Sequence, residues 1–210
     1  MTANLPQSYL SLSKMGKSDE IVINKSKFVG YAKTAMTEKE AVNFIDWVKS
    51  EHPMASCICY GYVCGYGNEV QKYHDGHDPV GGKPIISSIK IKNLIGVTCV
   101  VARYFGGVKL GVGGLARAFG SAAAEAIENG VPAMYELGRH IEITYDYLYD
   151  GKISYLIDNS PLTQGKKEYS DKITADMEMK NKYYVEFINK LNAITSNSHS
   201  LFLIEEKYIC

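Results

Sequence analysis

The chain has 210 residues, 46% of them apolar, which suffices for one large domain or two small ones with a sizeable core. Its formal net charge of zero argues against a strongly electrostatic nucleic-acid binder, although residues 1–130 carry 14 Lys/Arg against 11 Asp/Glu and residues 131–210 carry 9 against 12. The five cysteines (57, 59, 64, 99 and 210) sit mostly in apolar strand-like runs and fit reduced thiols rather than a disulfide framework. With neither a signal-like start nor an apolar run of membrane-spanning length, a soluble cytoplasmic protein is expected.

Residues 1–18 are polar and read as a loose leader. Glu20 to Ala35 alternates apolar and polar on either side of Asn24-Lys25-Ser26, the pattern of a hairpin or bent strand. Thr37 and Glu40 make a capping box for a helix that places Ala41, Phe44, Ile45 and Val48 on one face and stops at Pro53. Cys57 to Tyr66 reads as a strand. Gly67 to Gly82 reads as loop with a short strand near Val70–Tyr73, and Pro84 suits the start of a second helix. Val97 to Ala102 is a β-branched run of the kind buried on both faces. It delivers Arg103 and Tyr104 into a stretch holding Gly106, Gly107, Gly111, Gly113 and Gly114, with Lys109 among them, and then a helix carrying Arg117. That helix ends at Gly130, and Gly130-Val131-Pro132 is the best domain boundary. Beyond it the order is strand, helix, strand, strand, helix, strand, the split motif of ferredoxin-like domains.

The glycine stretch invites several chemistries. Gly111-x-Gly113-x-x-Ala116 formally fits a dinucleotide fingerprint, but Tyr104–Leu110 separates it from the strand and no acid-bearing strand follows. Lys83 precedes Pro84 rather than Ser or Thr, so a triphosphate-cradling loop is absent. His74, His77, Cys57 and Cys59 match no strong zinc spacing, and no metal or cofactor is expected. A Cys59 nucleophile with His52 or His74 has no local support, the reading of a buried thiol being the stronger. Two readings of the cations stay open: an anion site, in which Lys83, Arg103, Lys109 and Arg117 combine with glycine-exposed N–H groups, or solvated cations beside glycines that merely permit close packing.

The run from Arg103 to Ala118, RYFGGVKLGVGGLARA, resembles the defining motif of the IMPACT family, which comprises a eukaryotic translation regulator and bacterial relatives. Ser26-Lys27-Phe28, Glu51-His52-Pro53 with Ala55 and Cys59, Asp75-Gly76 and Gly82-Lys83-Pro84 support it in the right order. The resemblance implies an α+β protein of two domains. The first, over 19–131, would have the βαβ fold of the second domain of ribosomal protein S five, shared with domain four of elongation factor G; the second, over 132–210, would be ferredoxin-like. It implies a non-catalytic protein that regulates translation by binding RNA, the ribosome or a translation-linked protein, as eukaryotic members bind a partner of the amino-acid-starvation kinase. In that reading Lys83, Arg103, Lys109 and Arg117 meet phosphates, Gly111, Gly113 and Gly114 offer N–H groups, Asp75 orients a cation, and Tyr104, Gly106 and Gly107 support them. The alternative is an enzyme acting on a small anionic or peptide substrate in the same cleft. The chain departs from the family over His74–Pro84, which is one residue shorter and poorer in carboxylates, and at Cys57, where a histidine is usual.

Overall fold

A computed structural model of the protein describes residues 5–210. The chain divides into two compact units, one over Tyr9–Met134 and one over Tyr135–Cys210 with Pro6–Ser8.

The first unit is built on a sheet in which β2 (Gly16–Lys17), β4 (Ser26–Thr34), β7 (Val97–Tyr104), β5 (Cys57–Cys64) and β6 (Val70–His74) lie side by side in that order. A short strand β3 (Ile21–Ile23) also pairs with β4, and all these pairs are antiparallel. Asn24 and Lys25 turn β3 into β4 at φ of 46° and 64°, the left-handed geometry of a tight hairpin.

Because side chains alternate along a strand, β4, β5 and β7 each face two cores. Phe28, Cys57, Cys59, Val63, Cys99 and Val101 point to one face, where helices α2 (Gly82–Ile91) and α3 (Gly111–Asn129) cover them. Val29, Tyr31, Tyr62, Cys64 and Val100 point to the other, under α1 (Glu38–Glu51). β7 is therefore buried on both sides, as its unbroken apolar run requires. Thr37 accepts from the Glu40 amide and Glu40 answers the Thr37 amide, so the capping box opens α1 as the sequence signals.

α3 presents Ala118, Ala122, Ala123 and Ala126, all fully buried, and this small-residue face lets it approach the sheet closely. At Gly30 in β4 a Cβ would stand 2.3 Å from the Ala122 carbonyl oxygen. Phe119, fully buried, meets Phe28 edge-on at 5.2 Å, and burying each ring stabilises by about 1.5–3 kcal/mol.

The loose leader is corrected over the described residues. β1 (Ser8–Leu12) is a strand, and the amides of Ser13 and Lys14 bond the carbonyls of Val131 and Gly130. Leu12, 2% exposed, belongs to the α2/α3 core, so an apolar anchor outweighs the polar composition around it. Residues 1–4 of that expectation lie outside the described residues.

The second unit follows the split motif. Strand β8 (Pro132–Tyr145) runs on from the Gly130-Val131-Pro132 break, where proline opens the strand without losing a ladder bond. After a 3₁₀ turn at Tyr147–Tyr149 come α4 (Asp150–Asp158), β9 (Leu162–Tyr169), β10 (Ile173–Lys180), α5 (Asn181–Thr195) and β11 (His199–Ile209). The four long strands lie in the order β11-β8-β10-β9, the antiparallel arrangement of a ferredoxin-like domain. Ile141, Ile143, Tyr145, Ala175 and Met177 supply the buried sheet face, with Ile153, Leu156, Phe187 and Leu191 from the helices. Among the described residues no helix is long and apolar enough to cross a membrane.

Since no side chain fits between β4 and α3, Gly30→Ala is expected to lower stability by about 1–3 kcal/mol in urea unfolding. An unchanged midpoint would show that the helix shifts freely.

Candidate functional site

The end of β7 sends consecutive residues to opposite faces. Arg103 goes to the α2/α3 side together with Cys57 and Cys59 of β5, while Tyr104 goes to the α1 side. Beyond the strand, Phe105–Leu110 leads to the first turn of α3. A cavity of about 540 Å³ opens there, lined by Ser56, Cys57, His77, Asp78, Arg103, Phe105, Lys109, Leu110 and Gly111 among others. Hydroxyls pin the loop at its start: Ser56 Oγ accepts from the Phe105 amide at 2.7 Å and Ser26 Oγ from the Gly106 amide at 3.1 Å.

The glycines divide by role. At Gly106 a Cβ would lie 2.0 Å from the Lys25 carbonyl carbon, so here glycine serves close packing. Gly107 and Gly111 have φ of 86° and 69° with open space around them, so they turn the backbone. Gly113 and Gly114 meet nothing closer than 3.4 Å, and packing does not require them. What they leave is a bare first turn on a 19-residue helix, with N–H groups that have no intrahelical acceptor.

The candidate cations are not equivalent. Lys109 is exposed and lines the cavity. Arg117 is exposed on the next turn of α3, its Nη1 at 3.8 Å from where a Gly113 Cβ would stand, so a second positive charge lies at the positive end of the helix dipole. Lys83 is exposed on the first turn of α2 and is not among the residues that line this cavity. Arg103 is 6% exposed, and its Nη1 bonds Asp78 Oδ1. Its guanidinium lies over the rings of Phe28 and Phe105 at 5.7 and 5.3 Å. It is a buried, compensated charge.

Asp75 orients no cation. Its Oδ1 accepts from the amides of Gly81 and Gly82 at 2.9 and 2.8 Å, because a carboxylate beside the open start of a helix is drawn to its free donors. The acid on Arg103 is instead Asp78, which sequence reasoning passed over; two aspartates in one loop were the only signal, and nothing local said which one turns inward. Tyr104 stands outside the cavity as well. Its hydroxyl bonds His52 Nδ1 at 2.7 Å, while His52 Nε2 bonds the Tyr31 hydroxyl at 2.8 Å. Burial pushes the His52 imidazole below its ordinary value, assisted by Lys17. His74 stacks on Tyr60 at 5.3 Å, on the β5 face opposite the two cysteines.

Cys57 and Cys59 lie 3.5 Å apart, and the His77 amide donates to Cys57 Sγ at 3.2 Å. Hydrogen bonding from Cys59 draws the Cys57 thiol below its ordinary value, while the same contact and burial push Cys59 well above it.

Asp75→Ala removes the cap on α2 and is expected to cost about 1–2 kcal/mol, with Asp75→Asn recovering part of it. Denaturant unfolding of the two variants measures this, and equal losses would place the role elsewhere than in hydrogen bonding.

A family model described as the Impact N-terminal domain matches residues 24–127. The chain is 32% identical to the IMPACT family member YvyE of Bacillus subtilis (strain 168) over 196 residues, which cover 92% of this chain and 90% of that protein. It is 33% identical to the IMPACT family member YigZ of Escherichia coli (strain K12) over 109 residues, covering 50% of this chain and 53% of that one. A solved crystal structure of a hypothetical protein is similar at a TM-score of 0.60 and 25% identity, covering 97% of this chain and 100% of that chain. With a likeness to YvyE that runs over both units, the chain belongs to the IMPACT family.

Proposed function

We propose that this chain is a non-catalytic, translation-linked protein that binds the phosphate backbone of RNA, free or in the ribosome, at the start of α3. The observation that carries this reading is the bare glycine turn of α3 bracketed by Lys109 and Arg117. Free N–H groups, the helix dipole and two exposed cations there favour the same occupant, a phosphate oxygen. Arg103 is given a different part from the one its sequence position suggests. It braces the cavity floor, and Lys109, Arg117 and the α3 amides make the contact. The exposed Phe105, Val108 and Val112 around this turn offer apolar surface to bases or to a protein partner. The link to translation rests on the family to which the chain belongs.

Affinity for ribosomal RNA should fall steeply between low and physiological salt. Lys109→Ala and Arg117→Ala should each weaken binding on every sequence tested and lower the slope of log affinity against log salt by about 1. A flat salt dependence, or a partner retained from extract after nuclease treatment, would favour a protein ligand instead.

One observation favours the enzyme reading: Cys57, with its thiol drawn down, lines the same cavity. If Cys57 is a nucleophile, its alkylation by iodoacetamide should follow a pH midpoint below the ordinary 9.0 of a cysteine and should outpace that of Cys64 and Cys99. Reaction no faster than at those two buried thiols would remove this support.

A further inference from the structure

Along one wall of the cavity three donors suited to a borderline metal ion converge. Sγ of Cys57, Sγ of Cys59 and a carboxylate oxygen of Asp78 all lie within 4.8 Å of one another. We propose that Cys57, Cys59 and Asp78 bind one zinc ion, a site that the spacing of the sequence does not reveal because the third donor comes from a loop rather than from either histidine.

Four features carry the assignment. The first is spacing. Zinc–thiolate bonds of about 2.3 Å at a tetrahedral angle set the sulfurs about 3.8 Å apart, close to the 3.5 Å found here. A linear two-sulfur ion would need them farther apart, at twice a metal–sulfur bond.

The second is an orphan acceptor. Asp78 Oδ1 is taken by Arg103, while Oδ2 is buried without a hydrogen-bond partner. A buried carboxylate oxygen left unpaired costs about 1–3 kcal/mol or more, and a cation would remove that cost.

The third is charge. Two thiolates and a carboxylate exceed a dication by one negative charge, and the buried Arg103 guanidinium on Asp78 offsets it. Arg103 thereby stands behind the ligand, orienting it as outer partners of metal ligands do.

The fourth is a shaped loop. A Cβ at Gly76 would meet Cys57 Sγ at 2.5 Å and one at Gly81 would meet Cys59 Sγ at 2.3 Å, so two glycines let the Asp75–Gly82 segment close over the sulfurs. The Asp75 carbonyl oxygen comes with it, accepting from the Cys59 thiol at 2.9 Å and from the Cys57 thiol at 3.6 Å.

Cys57 and Asp78 both line the cavity, which gives the ion an entry path. Binding is balanced by the loss of two protons, one from each thiol, each sulfur then donating its electron pair to the metal. Cys64, packed under α1 on the opposite face of the sheet, takes no part. The proposal is independent of RNA binding, since none of its donors is Lys109, Arg117 or an α3 amide.

The test uses the full-length reduced protein, stripped of metal. Titration with Zn²⁺ against a chromophoric chelator should show one ion per chain with release of protons. Co²⁺ in its place should give a sulfur-to-metal charge-transfer band with the visible spectrum of a tetrahedral site. Cys57→Ser and Cys59→Ser should each abolish the band, Cys64→Ser should leave it, and Asp78→Asn should weaken Zn²⁺ by at least about tenfold. Should a buried substitution prevent folding, the wild-type spectrum and protection of Cys57 from iodoacetamide by Zn²⁺ decide without it. No Zn²⁺ uptake by the reduced wild type, a Co²⁺ spectrum without sulfur ligation, or an unchanged band in folded Cys57→Ser would overturn the assignment.

Discussion

The ion pair between Arg103 and Asp78 is the contact on which the cavity end of the first unit depends. It joins the penultimate residue of the central strand β7 to the loop between β6 and α2, with side-chain exposures of only 7% and 11%. A pair so deeply placed adds little net stability over an apolar substitute, because removing both charges from water is costly. Breaking it by deleting one partner costs far more, about 3–5 kcal/mol, because the other charge is then stranded. With Asp78 held, Asp75 lies where it caps α2, Gly76 and Gly81 settle against the two thiols, and the cavity gains a fixed wall.

The same strand end separates two chemistries by the simple alternation of side chains. Toward α2 and α3 lie the guanidinium, the thiols and the open helix start; toward α1 lies a neutral chain of hydrogen bonds from Tyr104 through His52 to Tyr31. The second chain accounts for Glu51-His52-Pro53 without assigning it any chemistry. The imidazole ties the end of α1 to two strands of the sheet, and its buried setting favours the uncharged ring. Glycines near the cavity differ in the same way. Gly106 is required by a neighbouring backbone, whereas a Cβ at Gly113 or Gly114 would meet no clash, so packing does not explain the bare first turn of α3.

Much of this was legible in the residues. The capping box of Thr37 and Glu40, the hairpin around Asn24 and Lys25, the two-sided burial of β7 and the strand–helix alternation of the second unit all depend on local patterns, and local patterns survive folding. The leader was misread because its composition is polar while its few apolar residues, Leu12 above all, are the ones that anchor it. Arg103 was read as a free cation because sequence shows which charges are near in the chain and not which are near in space.

What the sequence by itself determined is the motif, the order of elements and the kinds of side chain delivered to one end of a sheet. Periodicity and turn chemistry act over a few residues and leave their mark in the chain. Only the tertiary structure decided the partners: that Asp78 and not Asp75 meets Arg103, that Tyr104 turns away, that Lys109 lines the cavity and Lys83 does not, and that two thiols and a carboxylate share one small space. The reason is physical. Which donor finds which acceptor is settled by burial, where every polar atom must be matched, and burial exists only once β5, β7, α2, α3 and the loop between β6 and α2 have come together.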